Sequence, residues 1–267
     1  LKIVQKRSRI FKVIEKSLKT VRNQPDETKY GGWEVQPLLS VMNSSYLLSR
    51  DPVYLDVAVA LIDYLVGIRM DSRNRMSYDG VLRPQWERLE RYNIFSASPY
   101  ADYTSVDTNL LMKERGWASL HYSDVDYDGL FLEQMLRCAQ IIQEYRLAEY
   151  TEFARRVVKD SIKVIESHES EWIRLEDGSG YYIFPKGCPF YLDGVEMPVD
   201  EAAIFGSALM RLYFLTHDDK WLSRARAMWR HWQHYVAQDA SGYITYPYVS
   251  GLWNSGWDER SSPSINT

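Results

Sequence analysis

One motif recurs three times along this chain, and the recurrence limits the folds that the chain can form. Each copy has an apolar helical run, a short break, a second helical run, and then a turn with an aromatic-rich, strand-like stretch. The copies occupy residues 46–80, 142–185 and 213–247. Because a single helical hairpin cannot bury its apolar face alone, repeated hairpins pack against their neighbours. The loops between them then collect on one side, which becomes a candidate active face.

Apolar periodicity and turn residues predict a leading helix and three helical hairpins. The leading helix, 1–21, is basic and amphipathic, and we expect an outer helix with a solvated basic face rather than a membrane-surface segment. The predicted hairpins are 34–49 with 52–68, 129–146 with 149–167, and 200–215 with 219–236. Long loops are predicted at 71–116 and 171–199. Since no linker divides the 267 residues, we expect one all-α domain with short β-like loop ornaments.

The composition excludes several classes of function. A hydrophobic fraction of 45% and a charged fraction of 25% are ordinary for a globular protein. The formal net charge of -4 leaves no basic footprint, so we expect no nucleic-acid partner. No apolar run reaches the roughly 18–20 residues that a membrane-spanning helix needs, so we expect no membrane span. The cellular location stays open, with a periplasmic or extracellular site favoured.

Aromatic residues make up 14% of the chain, and many of them fall in predicted loops. An aromatic ring can stack on the apolar face of a sugar while its hydroxyl or indole N–H forms a hydrogen bond. The same rings can instead fill gaps between helices. The two cysteines, Cys138 and Cys188, make neither a disulfide framework nor a zinc site. Cys138 is predicted to be a small buried residue on an apolar helix face.

Two stretches carry a family resemblance: GYYIFPKGCPFYLDG at 180–194, and MPVDEAAIFGSALMRLY at 197–213, followed by THDDKWL at 216–222. With the hairpin rhythm, they resemble the α/α-toroid carbohydrate-active enzymes, the superfamily of six-hairpin glycosidases and polysaccharide lyases. The resemblance covers about residues 34–250. It implies a helical toroid with a cleft at one end and an oligo- or polysaccharide as its partner. The chain supplies only about three hairpins, so we expect an incomplete toroid or part of a longer protein.

The strongest local candidate site precedes the first helix of the second hairpin, at His121 and Tyr122. In lyases of similar toroidal fold a His and a Tyr at such positions carry the reaction, and these two residues are the nearest match. One group removes the C5 proton of a uronic acid, and the other protonates the leaving oxygen. Tyr suits the acid role because its hydroxyl stays protonated at neutral pH. We therefore predict a polysaccharide lyase that works by β-elimination.

Other residues complete the predicted lyase site. Neutralising the sugar carboxylate requires a polar or cationic group, for which Asn43, Arg115 or a bound cation are candidates. The subsites are expected to be lined by Tyr103, Trp117 and Trp253. This reaction requires no cofactor.

Acidic residues support an alternative function. Asp200 and Glu201 lie at the start of the first helix of the third hairpin, and Asp193 and Glu196 precede them. They are candidates for substrate contact. Paired with a carboxylate of the 124–128 segment, one of them could act as general acid and the other as base in glycoside hydrolysis. The same carboxylates could instead cap helix N-termini. A third possibility is a non-catalytic helical-repeat module that binds glycan or protein.

The spacing of Asp124, Asp126 and Asp128 before Gly129 matches the start of a calcium-binding loop. The twelfth position of an EF-hand loop would be Glu, but it is Met135, so only a calcium site of another kind is possible. Helix capping is the alternative.

Two histidine-containing segments are predicted to be structural. His231 and His234 are three residues apart on a helix with interleaved aromatic residues, which indicates a packed or solvated face. The group at 166–169, which contains His168, is predicted to lie at the surface at the end of a helix.

Overall fold

The structure is a computed structural model that describes residues 31–88, 108–190, 193–238, 242 and 244–245. Seven α-helices lie within these residues. They are α1 Gly31–Ser49, α2 Pro52–Gly67, α3 Thr108–Arg115, α4 Val125–Glu144, α5 Thr151–Glu166, α6 Val199–Thr216 and α7 Asp219–Gln233. Two antiparallel ladders accompany them. They pair β1 Trp172–Arg174 with β2 Gly180–Tyr182, and β3 Ala237–Gln238 with β4 Ile244–Thr245. The predicted all-α class with short β ornaments is confirmed.

The helices form three hairpins that stand side by side. In each hairpin, α1 packs on α2, α4 on α5, and α6 on α7. The first helices also pack on one another in the order α1, α4, α6, with α4 in the middle. Because α4 lies in the middle of this layer of helices, it is buried on nearly every side. Every residue of α4 from Val125 to Leu132 is buried.

The first helices of the hairpins run in the same direction. Asn43 of α1 bonds to Gln134 of α4, and Tyr46, one turn later, packs its ring against Tyr145 just beyond the end of α4. Between α4 and α6, Gly129 lies against Phe205, and further along both helices Glu133 pairs with Arg211 at 2.6 Å. Residue numbers rise together along both interfaces, so the N-terminal ends of the three helices lie at one end of the layer.

The predicted boundaries need three corrections. Helix α4 begins at Val125 rather than at 129, because the Asp124 side chain accepts the Tyr127 N–H and caps the helix earlier. The predicted 71–116 loop contains helix α3. The predicted 171–199 loop contains the β1–β2 ladder.

The other described helices begin and end close to their predicted positions. The predicted leading helix and much of the third aromatic stretch lie outside the described residues. In the part of the chain that the structure describes, no helix is both long enough and apolar enough to cross a membrane.

The hydrophobic core includes side chains that connect the helix layer to the loop that follows α2. Trp86 is buried, packs on Phe131 of α4 with ring centroids 4.8 Å apart, and donates its indole N–H to the Leu65 carbonyl at 2.8 Å. Cys138 is a free, fully buried thiol, as predicted. The segment around Trp86 is therefore anchored to both α2 and α4.

We expect Gly129→Ala to lower the free energy of unfolding by about 1–2 kcal/mol, because its close approach leaves too little room for a side chain. A Cβ at residue 129 would lie 3.0 Å from the backbone nitrogen of Phe205, and a helix backbone cannot move aside as a side chain can. The matched control is Gly67→Ala on α2, where a Cβ would meet nothing within 4 Å. The Gly67→Ala substitution should leave the free energy of unfolding unchanged or raise it by about 0.5 kcal/mol. Chemical denaturation measures both, and equal effects at the two positions would contradict the close packing of α4 on α6.

Candidate functional site

Charged side chains converge at the N-terminal ends of α4 and α6. Among the described residues, segments 68–88, 116–124, 167–190 and 193–198 connect the helices near this end. Backbone hydrogen bonds hold the first two together, with the Tyr78 N–H donating to the His121 carbonyl at 2.7 Å and the Arg88 N–H donating to the Tyr122 carbonyl at 2.8 Å. Helix N-termini carry partial positive charge, so this end of the layer favours anionic groups.

A buried histidine bridges two buried carboxylates in this region. His168 Nε2 lies 2.8 Å from Asp128 Oδ2, and His168 Nδ1 lies 2.5 Å from Glu171 Oε2. Burial alone would lower the pKa of His168, but the charges and hydrogen bonds of Glu171 and Asp128 outweigh it and raise the pKa to about 10. The ring is therefore an imidazolium at neutral pH and donates a hydrogen bond to each carboxylate.

Asp128 connects this bridge to two loops. Its other oxygen, Oδ1, accepts the Trp86 N–H at 3.0 Å and the Ser123 hydroxyl at 2.8 Å. Burial raises the pKa of both Asp128 and Glu171, and the neighbouring imidazolium offsets part of that effect. The His168 bridge therefore holds the N-terminal end of α4, the loop after α2 and the segment after α5 in one arrangement.

A second buried group lies at the start of α4 and α6. Arg88 Nη1 is 2.5 Å from Asp124 Oδ2 and 3.6 Å from Asp126 Oδ2. Burial and the charge of Asp126 raise the pKa of Glu201 to about 8, although Arg88 acts in the opposite direction. Half-buried Glu201 therefore keeps its proton at neutral pH beside carboxylates that share an arginine.

A third group combines a partly exposed histidine with a buried carboxylate. Glu87 Oε1 faces His121 Nδ1, and Glu87 Oε2 lies 2.6 Å from Arg75 Nη1. Burial would raise the pKa of Glu87, but His121 and Arg75 outweigh burial and hold it below its ordinary value. The His121 side chain is 31% exposed, whereas that of Glu87 is 1% exposed. The ionised carboxylate favours the tautomer with the proton on Nδ1, which leaves Nε2 as a base.

A polar cavity of about 310 Å³ borders the His168 bridge through Glu171, while His121, Glu87 and Glu201 are not among the residues that line it. Tyr78, Arg83, Lys186 and Glu171 contribute to its wall. The Tyr78 hydroxyl donates to the Lys186 carbonyl at 2.9 Å, and burial raises the pKa of Tyr78 far above its ordinary value. Arg83 forms two 2.6 Å hydrogen bonds with Asp79. The cavity wall thus contains a protonated phenol, two cationic side chains and two carboxyl groups, and one of the cations, Arg83, is paired with Asp79.

The structure separates the predicted lyase residues. Tyr122 is fully buried with its ring stacked on Phe190 at 5.7 Å, and Asn43 is fully buried and donates to the Gln134 carbonyl. In this arrangement neither side chain could touch a substrate. Arg115 is exposed on α3, away from the core.

Several other predicted substrate contacts also have defined positions. Trp117 donates its indole N–H to the Gly187 carbonyl at 2.7 Å, close to the cavity wall. Asp200 is exposed at the start of α6, one residue before Glu201. Tyr103 and Trp253 lie outside the described residues.

The three aspartates of the predicted calcium loop have other partners. Asp124 and Asp126 face Arg88, and Asp128 faces His168. Among the described residues, no group of three or more His, Cys, Asp or Glu side chains is arranged to hold a metal ion. A calcium site stays a prediction.

Two sequence interpretations of histidines have different outcomes. His231 is buried and bonds to Glu196 at 2.8 Å, which agrees with a packed helix face. The surface position predicted for His168 is wrong, since the residue is fully buried. One signal was available, because His168 follows the apolar residues Val164 and Ile165 at helical spacing. Glu87 carried no such signal, because its partners are distant in the sequence.

Comparison with known proteins gives no family assignment. No protein-family model matches the sequence, and no curated protein matches it significantly.

We expect His168→Gln to destabilise the protein by about 3–5 kcal/mol near pH 6.5, because it removes one partner of a buried ionic group. The folded-state pKa of about 10 lies above the ordinary histidine value of about 6.5. The stabilisation by the protonated ring is therefore complete below about pH 6.5 and is lost as the pH rises toward 10. Denaturant unfolding from pH 6 to 9.5 should show a decline for the wild-type protein that the variant lacks.

The matched control for this experiment is His234→Gln, at an exposed histidine just beyond α7. It should keep the wild-type stability and the wild-type pH dependence. If the free energy of unfolding of the wild-type protein and of the His168 variant changed with pH in parallel, the His168 ring would not be protonated in the folded state.

Proposed function

We propose that the protein acts on a glycan that contains uronic acid, and that it removes the proton next to the sugar carboxylate as the first step of β-elimination. The observation that carries the proposal is the His121–Glu87–Arg75 chain. A carboxylate that orients one imidazole nitrogen and leaves the other as a base is a recurring arrangement in general-base catalysis. His121 remains our candidate for the base.

The neighbouring cavity supports an anionic sugar as ligand. Lys186, together with Arg83 in its pair with Asp79, brings positive charge near a uronate carboxylate, and a cavity of about 310 Å³ has room for a sugar ring with some water. Tyr78 takes the acid role proposed earlier for Tyr122, because its hydroxyl lies in the cavity wall and its raised pKa keeps it protonated. Its backbone is hydrogen-bonded to that of His121, so the proposed acid and base belong to paired segments.

The chemistry of the proposed step is simple. The His121 Nε2 atom takes the C5 proton, the electron pair forms the C4–C5 double bond, and the C4–O4 bond breaks. The leaving oxygen takes the proton of the Tyr78 hydroxyl. A cation beside the carboxylate stabilises the negative charge that develops when C5 loses its proton.

We also propose that the three hairpins are a segment of an α/α toroid. The support is the row of parallel first helices, each backed by the second helix of its hairpin, with the charged groups at their shared N-terminal end. In such a toroid this end would face the saccharide cleft.

The lyase proposal is tested on a panel of uronic-acid glycans by ultraviolet absorbance of the unsaturated product. His121→Gln and Tyr78→Phe should each lower turnover by about 10²–10⁴-fold, the contribution typical of a general acid or base. Tyr122→Phe should keep nearly full activity, because that ring is buried away from the cavity. Thermal unfolding of each variant checks the fold. Full activity of both the His121 and Tyr78 variants would contradict the assignment.

The fate of the abstracted proton can be followed separately. In deuterated water, exchange at C5 without an unsaturated product would retain the proton-abstraction step and reject the elimination. Saccharide binding with neither exchange nor cleavage would support the non-catalytic alternative.

Hydrolysis is the second candidate function, and it is favoured by the half-buried position of Glu201 at the start of α6, where burial and the charge of Asp126 raise its pKa to about 8. A carboxyl group whose pKa is raised by burial and by a second carboxyl group nearby is the arrangement that glycosidases use for a general acid. If this candidate holds, reducing ends should appear without ultraviolet absorbance, and activity should fall above about pH 8 as Glu201 loses its proton. Glu201→Gln should reduce the rate by at least about 10²-fold, while the exposed Asp219→Asn serves as the control. Unchanged hydrolysis by the Glu201 variant would remove this candidate.

A further inference from the structure

A large groove lies at the opposite end of α4 from the candidate site. Its volume is about 690 Å³, and it runs between the C-terminal part of α4, helix α5 and the end of α6. Helix α4 has 20 residues, so its two ends are about 30 Å apart. None of the residues that line the groove belongs to the candidate site.

The floor of the groove is apolar and follows the helix repeat. Ala154, Val158 and Ile162 lie four residues apart on α5, are half-buried, and form one side. Ile142 of α4 and Leu215 of α6 contribute from the other side. The α5 residues that line the groove extend from Thr151 to Lys163, a distance of about 18 Å or three helical turns.

The edges of the groove are basic. Arg155, Lys159 and Lys163 follow the apolar row at the same four-residue spacing, and Arg146 lies at the end of α4. Arg155 pairs with Glu152, and Lys163 lies 2.9 Å from Asp160. None of the groove-lining residues is acidic, so the groove combines an apolar floor with positive charge on its edges.

We propose that this groove docks an amphipathic helix of a partner protein, with the apolar face of that helix on the floor and acidic side chains along its flanks. A groove between helices, about three turns long, with matching apolar and charged rows, fits the helix-in-groove mode of recognition. The positive charge on the edges of the groove favours a partner helix with acidic side chains. The basic segment 1–21 of this chain has the wrong charge for this role, with Lys2, Lys6, Arg7, Arg9 and Lys12 among its first twelve residues.

The experiment uses the whole protein and a fluorescent helical peptide of about 18 residues, with Leu along one face and Glu along its flanks. Fluorescence anisotropy should show saturable binding that weakens as salt is added. A peptide with Lys in place of each Glu should bind at least about tenfold more weakly.

Two variants test whether the peptide binds in the groove. Val158→Asp puts a charge on the floor and should abolish binding. Lys159→Glu should weaken binding of the acidic peptide about fivefold and strengthen binding of the Lys peptide. The matched control is Arg226→Glu, the same charge change at an exposed position of α7 outside the groove, and it should change neither.

Three outcomes would overturn the proposal. One is equal binding of the Glu and Lys peptides, which would indicate a purely apolar ligand. Another is binding that Val158→Asp and Lys159→Glu leave unchanged in folded protein. The third is a concentration-dependent dimer in sedimentation that Val158→Asp dissociates, because a second copy of the chain would then occupy the groove.

Discussion

The arrangement of the charged end depends on the protonated ring of His168. With a neutral ring, Asp128 and Glu171 would be two carboxylates buried without a countercharge, which is costly in a low-dielectric interior. With the imidazolium in place, Asp128 can also accept hydrogen bonds from Trp86 and Ser123. Those two residues belong to the loops that contain Glu87 and His121. The bridge therefore holds in place the loops that carry the proposed base and its partner, and its Glu171 also lines the cavity.

The parallel direction of α4 and α6 explains why so many acids are tolerated at this end. Two helix N-termini lie side by side, so their partial positive charges act on the same small volume. Arg88 adds a full charge, and Asp124 and Asp126 share it. At Glu201, burial and the charge of Asp126 outweigh the opposite effect of Arg88 and raise the pKa to about 8. Packing of the helices thus creates groups with different proton affinities from residues of the same type.

The sequence predicts the helices much better than the site. Helix periodicity and the caps at Asp51 and Asp218 are local features, and local features determine where helices begin. At α4 the cap at Asp124 starts the helix four residues before the predicted position. The site depends on contacts between distant segments, such as His168 with Asp128 and His121 with Glu87. Adjacent residues in an extended segment point to opposite sides, which is why Tyr122 is buried while its neighbour His121 is partly exposed. A pair of neighbours in the sequence is therefore a poor prediction of a catalytic pair.

Charge is segregated along the axis of α4. Asp126 and Asp128 lie in its first turn, and Arg146 lies just beyond its last turn, so both ends complement the helix dipole. The same polarity places an acidic, proton-exchanging site at one end and a basic groove at the other. At a separation of about 30 Å, well beyond the Debye length of about 8 Å in physiological salt, the two sites do not sense each other's charge through solvent. A partner helix in the groove would consequently leave the proton affinities at the N-terminal end of α4 unchanged unless it moved α4 itself.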